Sequence, residues 1–555
     1  MRTTRSLFLA GVSLVAALLM SQIQAEAQAQ TQTLTAALSG TVSSAKEGAM
    51  EGVLVSAKKD GSTITTTVVT NDKGQYAFPA DRLEPGKYSI SIRAVGYVLD
   101  GPKSVEIAAT KDAKADIKLD TARNVLQQLT NAEWLESAPG TLKDKQFLSS
   151  CGDCHTMQRI FMSSHTAEEW SQIFPRMNGY ANGSQPPRPR LLPAGATTNR
   201  DRVDPKVAEY FATISMNGPD AKEFTIKTEP RPKGRSTKAI ITEYDLPRRE
   251  AMPHDVVVDA NGHAWYSDFG SLYVGELDPK TGKVSDYALP EFRKDRPHST
   301  LDLEFDPKGN LWVAMMYQSG LSMIDTKTKE IKGYPYPDEW MAPSTLNSMV
   351  SPTFSNVDNK VWTNNQFTRE QYRLDLTTGK YENMKVAIDP RGRRISGYGM
   401  PVDKQNNVFM LEFSGTSIGR RDKDNLVTIW PTPIAGSRPR RGRVDDANRL
   451  WFTEFAGNAI AMLDTESGKF QEWPMPNKFD WPYDVAPTKN GEAWTGSMFN
   501  DLVTRLDTKT GMTTQYLLPR STNIRRVFVD ETGPRNVLWV GSNNGASIVK
   551  VEVMD

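Results

Sequence analysis

The sequence predicts a mainly β, multidomain fold: an N-terminal β-sandwich, a small α-helical domain and a C-terminal seven-bladed β-propeller. Three observations predict it. Strand-like cores centred on Trp265, Trp312, Trp362, Phe409, Trp451, Trp494 and Trp539 recur at spacings of 47, 50, 47, 42, 43 and 45 residues, the period of a propeller blade. Short segments of alternating polarity, separated by turns such as Asn71-Asp72-Lys73-Gly74 and Glu84-Pro85-Gly86, fill residues 34–120 and read as a small sandwich. Between these regions, residues 121–225 lose the alternation and take up helical periodicity over 125–135, 167–177 and 207–214. A chain of 555 residues is expected to divide into several such units.

At the N-terminus, Arg2 and Arg5 precede an apolar run over 7–20, and Ala25-Glu26-Ala27 follows it. This is the pattern of a secretory signal peptide over 1–27. The run falls short of the roughly 20 apolar residues a membrane span needs. The mature chain is therefore expected in the periplasm with no membrane span. With 67 basic against 66 acidic residues the formal net charge is +1, so nucleic acid is excluded as a partner on electrostatic grounds.

The string Thr70, Gly74, Tyr76, Phe78, Leu83, Pro85-Gly86, Tyr88 and Gly96-Tyr97 resembles the carboxypeptidase regulatory-like, transthyretin-like sandwich family. Residues 34–120 carry no catalytic constellation, and the resemblance implies a module for stability, docking or carbohydrate contact.

The helical region, 121–225, holds the only two cysteines, in Cys151-Gly152-Asp153-Cys154-His155. In a C-x-x-C-H motif the thiols add to the vinyl groups of haem and the adjacent imidazole becomes the iron ligand. A thioredoxin-like pair needs a βαβ setting, and a structural zinc site needs a second pair of ligands at metal spacing; neither is present. One covalent haem c is the expected cofactor, held by Cys151, Cys154 and His155. Together with Phe147, Glu169-Trp170, Arg176-Met177 and Tyr210-Phe211-Ala212, the motif resembles the helical cytochrome c domains of multidomain bacterial dehydrogenases. A sixth ligand is sought among Met157, Met162, His165, Met177 and Met216; Met177 is favoured, because its helix follows a turn, and His165 is the alternative. A Pro/Arg/Gly-rich loop spans 185–195, and 226–237 reads as a charged linker.

From 238 to 555, each core is followed by a hydrophobic-Asp step, as in Leu277-Asp278 and Leu506-Asp507, and then by a strand bearing Tyr287, Tyr334, Tyr381, Trp430, Trp473 or Tyr516. The seventh repeat lacks this aromatic, and Tyr244-Asp245-Leu246-Pro247 supplies a copy ahead of the first. The N-terminal strand is therefore expected to complete the last blade and close the ring. The repeat type, clearest in Asp-Ala-Asn-Arg-Leu-Trp-Phe-Thr-Glu (446–454), resembles the streptogramin (virginiamycin B) lyase family of seven-bladed propellers. That resemblance implies metal-assisted lactone elimination, with Mg²⁺ near glutamates and a general-base histidine late in the propeller. Glu454 keeps the acidic position, and no histidine follows His298.

Aligning the repeats places His254, Leu301, Thr353, Tyr398, Arg440, Tyr483 and Arg525 at the start of each innermost strand, facing the central channel. His254, Tyr398, Arg440, Tyr483 and Arg525 form the candidate catalytic set, suited to an anionic or phenolic substrate. Asp268, Asn364, Glu412, Glu454 and Asn543 follow the cores and offer oxygen donors to a divalent cation. His263 reads as a turn residue and His298 as a loop residue able to reach the rim or a partner. Three functions fit these residues. The first is a cytochrome c-linked oxidoreductase that binds an organic substrate and passes electrons to a redox partner protein or another acceptor. The others are a metal-assisted lyase and a non-enzymatic electron-transfer or binding scaffold. Haem alone is a poor hydride acceptor, and no quinone or dinucleotide signature accompanies it.

Overall fold

The computed structural model describes residues 36–108, 112–186, 188–193, 204–340 and 358–555. The signal-peptide reading and Thr353 lie outside these residues. In the sandwich, Ala36–Ser44 pairs with Gln75–Pro79 and Ile117–Thr121 in one sheet, while Leu54–Lys59 lies between Ile64–Val69 and Gly86–Arg93 in the other. Leu38, Val42, Val55, Phe78, Ile90 and Ile117 fill the space between the sheets.

The C-terminal region forms seven sheets in succession. The repeated residues explain the blade. Trp265 stacks on Tyr287 (5.6 Å between ring centres), Trp312 on Tyr334 (5.4 Å), Trp451 on Trp473 (5.2 Å) and Trp494 on Tyr516 (6.1 Å). In these four blades the core tryptophan thus packs on the outer strand of its own blade. The hydrophobic-Asp steps are turns. The carboxylates of Asp278, Asp325, Asp375, Asp464 and Asp507 accept the backbone N–H two residues on, at 2.8–3.0 Å.

Closure follows the expectation. Ala239–Asp245 pairs antiparallel with Ser547–Val553, from Ala239 opposite Val553 to Asp245 opposite Ser547. Tyr244 stacks on Trp539 at 6.1 Å and so takes the place of the aromatic that the seventh repeat lacks. The free edge of this closing strand does not face solvent. Ile64–Val69 of the sandwich pairs with it, Ile240 opposite Val68, and one continuous eight-stranded sheet runs from the seventh blade into the sandwich. An exposed edge is thereby covered from within the chain. Arg82 adds a two-pronged ion pair to Glu552 at 2.9 and 3.0 Å.

The helical region comprises Asn131–Ser137, Leu142–Lys145, the 3₁₀ segment Gln146–Asp153, Gln158–Phe161, Ala167–Asn178 and Pro205–Ile214. It shares a core with the propeller. Trp134, Phe161, Trp170, Phe174 and Phe211 belong to the same apolar cluster as Phe455, Phe479, Trp481, Tyr483, Met498 and Phe499. The segment read as a linker is tied down, with Glu229 N–H donating to Glu133 (2.8 Å) and Arg231 paired to Glu47 (2.5 Å). Among the described residues no helix is long and apolar enough to cross a membrane.

Candidate functional site

The Cys151–His155 loop runs out of the 3₁₀ segment, and Asn131 Oδ1 pins the chain just beyond it by accepting from Met157 N–H at 2.8 Å. The facing wall is the helix Ala167–Asn178. It starts at a capping box in which Thr166 and Glu169 exchange hydrogen bonds of 2.8 and 3.2 Å. Between them lies a cavity of about 270 Å³ lined by Cys151, Cys154, His155, His165 and Met177, together with Phe147, Ile160, Trp170, Phe174 and Phe211. Five residues singled out for a metalloporphyrin thus line one hollow with a partly aromatic wall. Met157 is fully buried beneath the loop in the shared core, and neither Met162 nor Met216 lines the cavity.

His155 is set up as a ligand. Its Nδ1 lies 3.0 Å from the Thr156 carbonyl, to which a protonated Nδ1 donates, leaving Nε2 as the lone-pair nitrogen. Burial holds the imidazole below its usual pKa and so favours the neutral, metal-binding form. Arg159 and Arg176 also line the cavity and match the carboxylates of a porphyrin. The residues present therefore fit haem c.

This loop rests on the mouth of the propeller channel. The Gly152 carbonyl accepts from Asn523 Nδ2 at 2.6 Å, and a Cβ on Gly152 would lie 2.4 Å from the Phe499 ring. No larger residue fits there without displacing that ring. Residues 180–186 and 188–192 lie on the other side, where Arg190 donates to the carbonyls of Asn182 (2.7 Å), Phe269 (3.1 Å) and His298. His298 thus serves the contact between the helical region and the propeller.

The residues of the channel set lie close together. Tyr398 and Tyr483 are hydrogen-bonded through their hydroxyls, Tyr483 lies 3.1 Å from His254 Nε2, and His254 Nδ1 lies 2.6 Å from Asp255. The carboxylate fixes the tautomer: Nδ1 donates to Asp255, and Nε2 accepts from Tyr483. The Arg440 guanidinium lies over the Tyr483 ring at 3.8 Å, with Phe413 and Phe455 at 4.3 and 4.5 Å. Arg525 lies 5.3 Å from the same tyrosine. His254 and Tyr483 are fully buried, and Arg440 and Arg525 nearly so. Leu301 packs in an apolar cluster instead.

Beneath this layer is a second one that sequence reading missed. Asp255 receives Arg441 (3.1 Å to each oxygen) and Arg526 (3.0 Å), which also reach Asp302 and Glu304, while Arg443 holds Asp484 at 2.9 Å. The signal is a Pro-led doublet at the start of the innermost strands: Pro253-His254-Asp255, Pro439-Arg440-Arg441 and Pro482-Tyr483-Asp484. In all three the ladder register shifts immediately after the proline.

Burial pushes the His254 imidazole down to about 3, against partial opposition from Asp255. It is neutral when folded, whereas an unfolded histidine binds a proton below about 6.5. The unfolded chain then holds more protons, so stability falls as pH drops from 6.5 towards 3. H254Q is expected to remove about 1.4 kcal/mol per pH unit of that slope between pH 6 and 5, as read from denaturant unfolding of wild type and variant.

The oxygen donors anticipated for a cation do not act as one set. Asp268 is ion-paired to Arg248, and Asn364 donates to the Gly397 carbonyl at 2.5 Å. Glu454 is fully buried beside Glu472 and Ser437. Burial, reinforced by the neighbouring Glu472 carboxylate, pushes it up to about 8. The convergent trio Asp259, His263 and Glu276 is already satisfied, since Glu276 takes His263 (2.8 Å), Tyr287 (2.6 Å) and Lys329 (2.8 Å). His263 lies in a turn, as anticipated, its N–H donating to Asp259 at 3.0 Å.

A propeller joined edge to edge with a sandwich and capped by a cysteine-bearing helical unit is the class these features define. Residues 382–555 match the virginiamycin B lyase family, and residues 37–120 match the carboxypeptidase regulatory-like domain. No curated protein matches the chain. Among solved structures, a streptogramin B lyase is similar at 17% identity, covering 58% of this chain and 100% of its own, with a TM-score of 0.49. A virginiamycin B lyase from Staphylococcus aureus is similar at 18% identity, covering 57% and 100%, TM-score 0.49. A catalytically inactive form of the latter with quinupristin gives 19%, 57%, 100% and 0.49.

Proposed function

We propose that the chain is an exported redox protein carrying one haem c, attached through Cys151 and Cys154 and ligated by His155, with Met177 as sixth ligand and His165 as the alternative. The observation that carries this reading is the single cavity in which all five side chains meet, seated on the channel mouth through Asn523 and Phe499. Bound there, haem would supply one-electron chemistry. The chain's own residues orient His155 through Thr156, supply apolar contact through Phe147, Trp170, Phe174 and Phe211, and place Arg159 and Arg176 at the cavity lining. Below, the His254–Tyr483–Tyr398 chain, with a histidine that stays neutral at physiological pH, acts as a hydrogen-bonded platform. Tyr398 is its half-buried end and the point at which a phenolic or anionic substrate would meet the channel set. Electron transfer to a periplasmic acceptor is therefore favoured, and oxidation of an organic substrate is the extension of it that requires access at Tyr398.

A second reading rests on Glu454. A buried acidic pair, Glu454 beside Glu472, suits a divalent cation, whose charge would favour the ionised form, and it falls within the segment that matches the lyase family. One preparation separates the readings. The mature chain is produced in a host that matures c-type cytochromes, its spectrum is recorded, and phenols, alcohols, amines and lactones are added with and without Mg²⁺. Expected is a reducible Soret band, with electrons passing to a soluble acceptor; a colourless protein overturns the redox reading. Mg²⁺-dependent lactone opening that survives replacement of His155 establishes the lyase instead. Iron reduction by a phenol, slowed in Y398F, establishes substrate oxidation.

A further inference from the structure

We infer that a second cleft, on the seam between the helical region and the propeller, binds a small dicarboxylate with an apolar body. The cleft encloses about 840 Å³ and is lined by Glu136, Pro139, Lys145, Lys227, Lys478 and Phe479. Its volume lies within the range of small-molecule sites, and its seam position is where such sites concentrate.

Charge in the cleft is unbalanced. Lys227 and Lys478 both turn to one oxygen of Glu136, at 3.3 and 2.9 Å. Lys145 is 7% exposed and its side chain makes no ion pair or hydrogen bond among the described residues; its ammonium lies 5.6 Å from the centre of the Phe479 ring. Its sequence neighbour Asp144 caps the helix, accepting from Thr141 N–H and Oγ1 at 2.7 Å each, and does not line the cleft. Among the residues that line the cleft, three ammonium groups thus face one carboxylate, a local excess of positive charge, offset in part by Asp144 behind Lys145, that suits a dianion. Burying an amine without a counter-ion is costly. Burial, reinforced by Lys227 and Lys478 and opposed by Glu136 and Asp144, holds Lys145 below its usual pKa, a shift that a bound anion counters. Beside the charges, Pro139, Leu142, Met475, Pro476 and Phe479 offer an apolar wall, so a carbon skeleton suits the site better than inorganic phosphate. Nothing in this inference depends on haem.

The full mature chain is titrated calorimetrically with succinate, glutarate and phthalate, with acetate and succinamide as controls. Saturable one-to-one binding of a dicarboxylate is expected, weakened at least tenfold in K145M and unchanged in K143M, which alters an exposed lysine of the same helix. K478M changes a side chain that is 75% exposed and so tests the site without threatening the fold; a loss of at least threefold is expected. Absence of saturable dicarboxylate binding overturns the proposal. So does equal affinity in wild type and K478M, or acetate and succinamide binding as tightly as succinate.

Discussion

Replacing Cys151 and Cys154 together by alanine is expected to abolish covalently bound pigment while leaving the propeller folded. Both side chains line the cavity and neither belongs to the blade ladders, so their loss removes the attachment chemistry and little of the packing. A single replacement leaves one thioether and is expected to keep a pigmented fraction. H155A, which removes the imidazole but neither thiol, is expected to retain attached porphyrin with a shifted, ligand-exchangeable spectrum. Haem-dependent peroxidase staining on a denaturing gel reads attachment, and circular dichroism reads the fold. Staining equal to wild type in the double variant would remove the basis of the proposed function, because no other cysteine exists in the chain to hold the group.

How much of this was legible in the sequence depended on periodicity. A repeat of about 45 residues with an aromatic in each core reports blade packing directly, because the same residue meets the same partner in blade after blade. The absent seventh aromatic even identified Tyr244 as its replacement. The pairing of Ile64–Val69 with the closing strand was invisible, since an edge-to-edge contact between two β regions leaves no spacing signature. The shared core was equally hidden. Helical periodicity marks Trp170, Phe174 and Phe211 as buried, but not that Phe499 and Trp481 of the propeller bury them. In the channel, alternation allows only every second residue to face inward, so His254, Arg440 and Tyr483 were found and the residues after them were passed over. The register shifts after Pro253, Pro439 and Pro482 break that rule, as bulges do. They turn Asp255, Arg441 and Asp484 into the channel as well.

The second layer formed in this way is where the largest loss of stability is expected. Asp255 is fully buried and accepts from His254, from Arg441 through both oxygens, from Arg526 and from the Leu303 N–H at 3.2 Å. Together Arg441, Arg526, Asp255, Asp302 and Glu304 carry two positive and three negative charges. Asp255 is the member that the two guanidiniums share. D255N preserves shape but leaves both cations without that acceptor and places an amide N–H₂ or a weaker carbonyl against them. Removing one partner of a buried ion network costs about 3–5 kcal/mol. E304Q at the half-buried margin of the same network, where solvent screens the pair, is expected to cost about 1 kcal/mol. The flanking arginines hold Asp255 far below the usual carboxylate range, against the opposing effect of burial. A carboxylate of that kind contributes stability above its unfolded pKa of about 3.9 and loses it only as pH falls through the depressed folded value. The difference between wild type and D255N is therefore expected to stay constant from pH 5 to 8, in contrast to the slope assigned to His254. Denaturant unfolding across that range separates the two. A D255N loss under 1 kcal/mol, or one that changes with pH above 5, would show that the network does not hold the channel together.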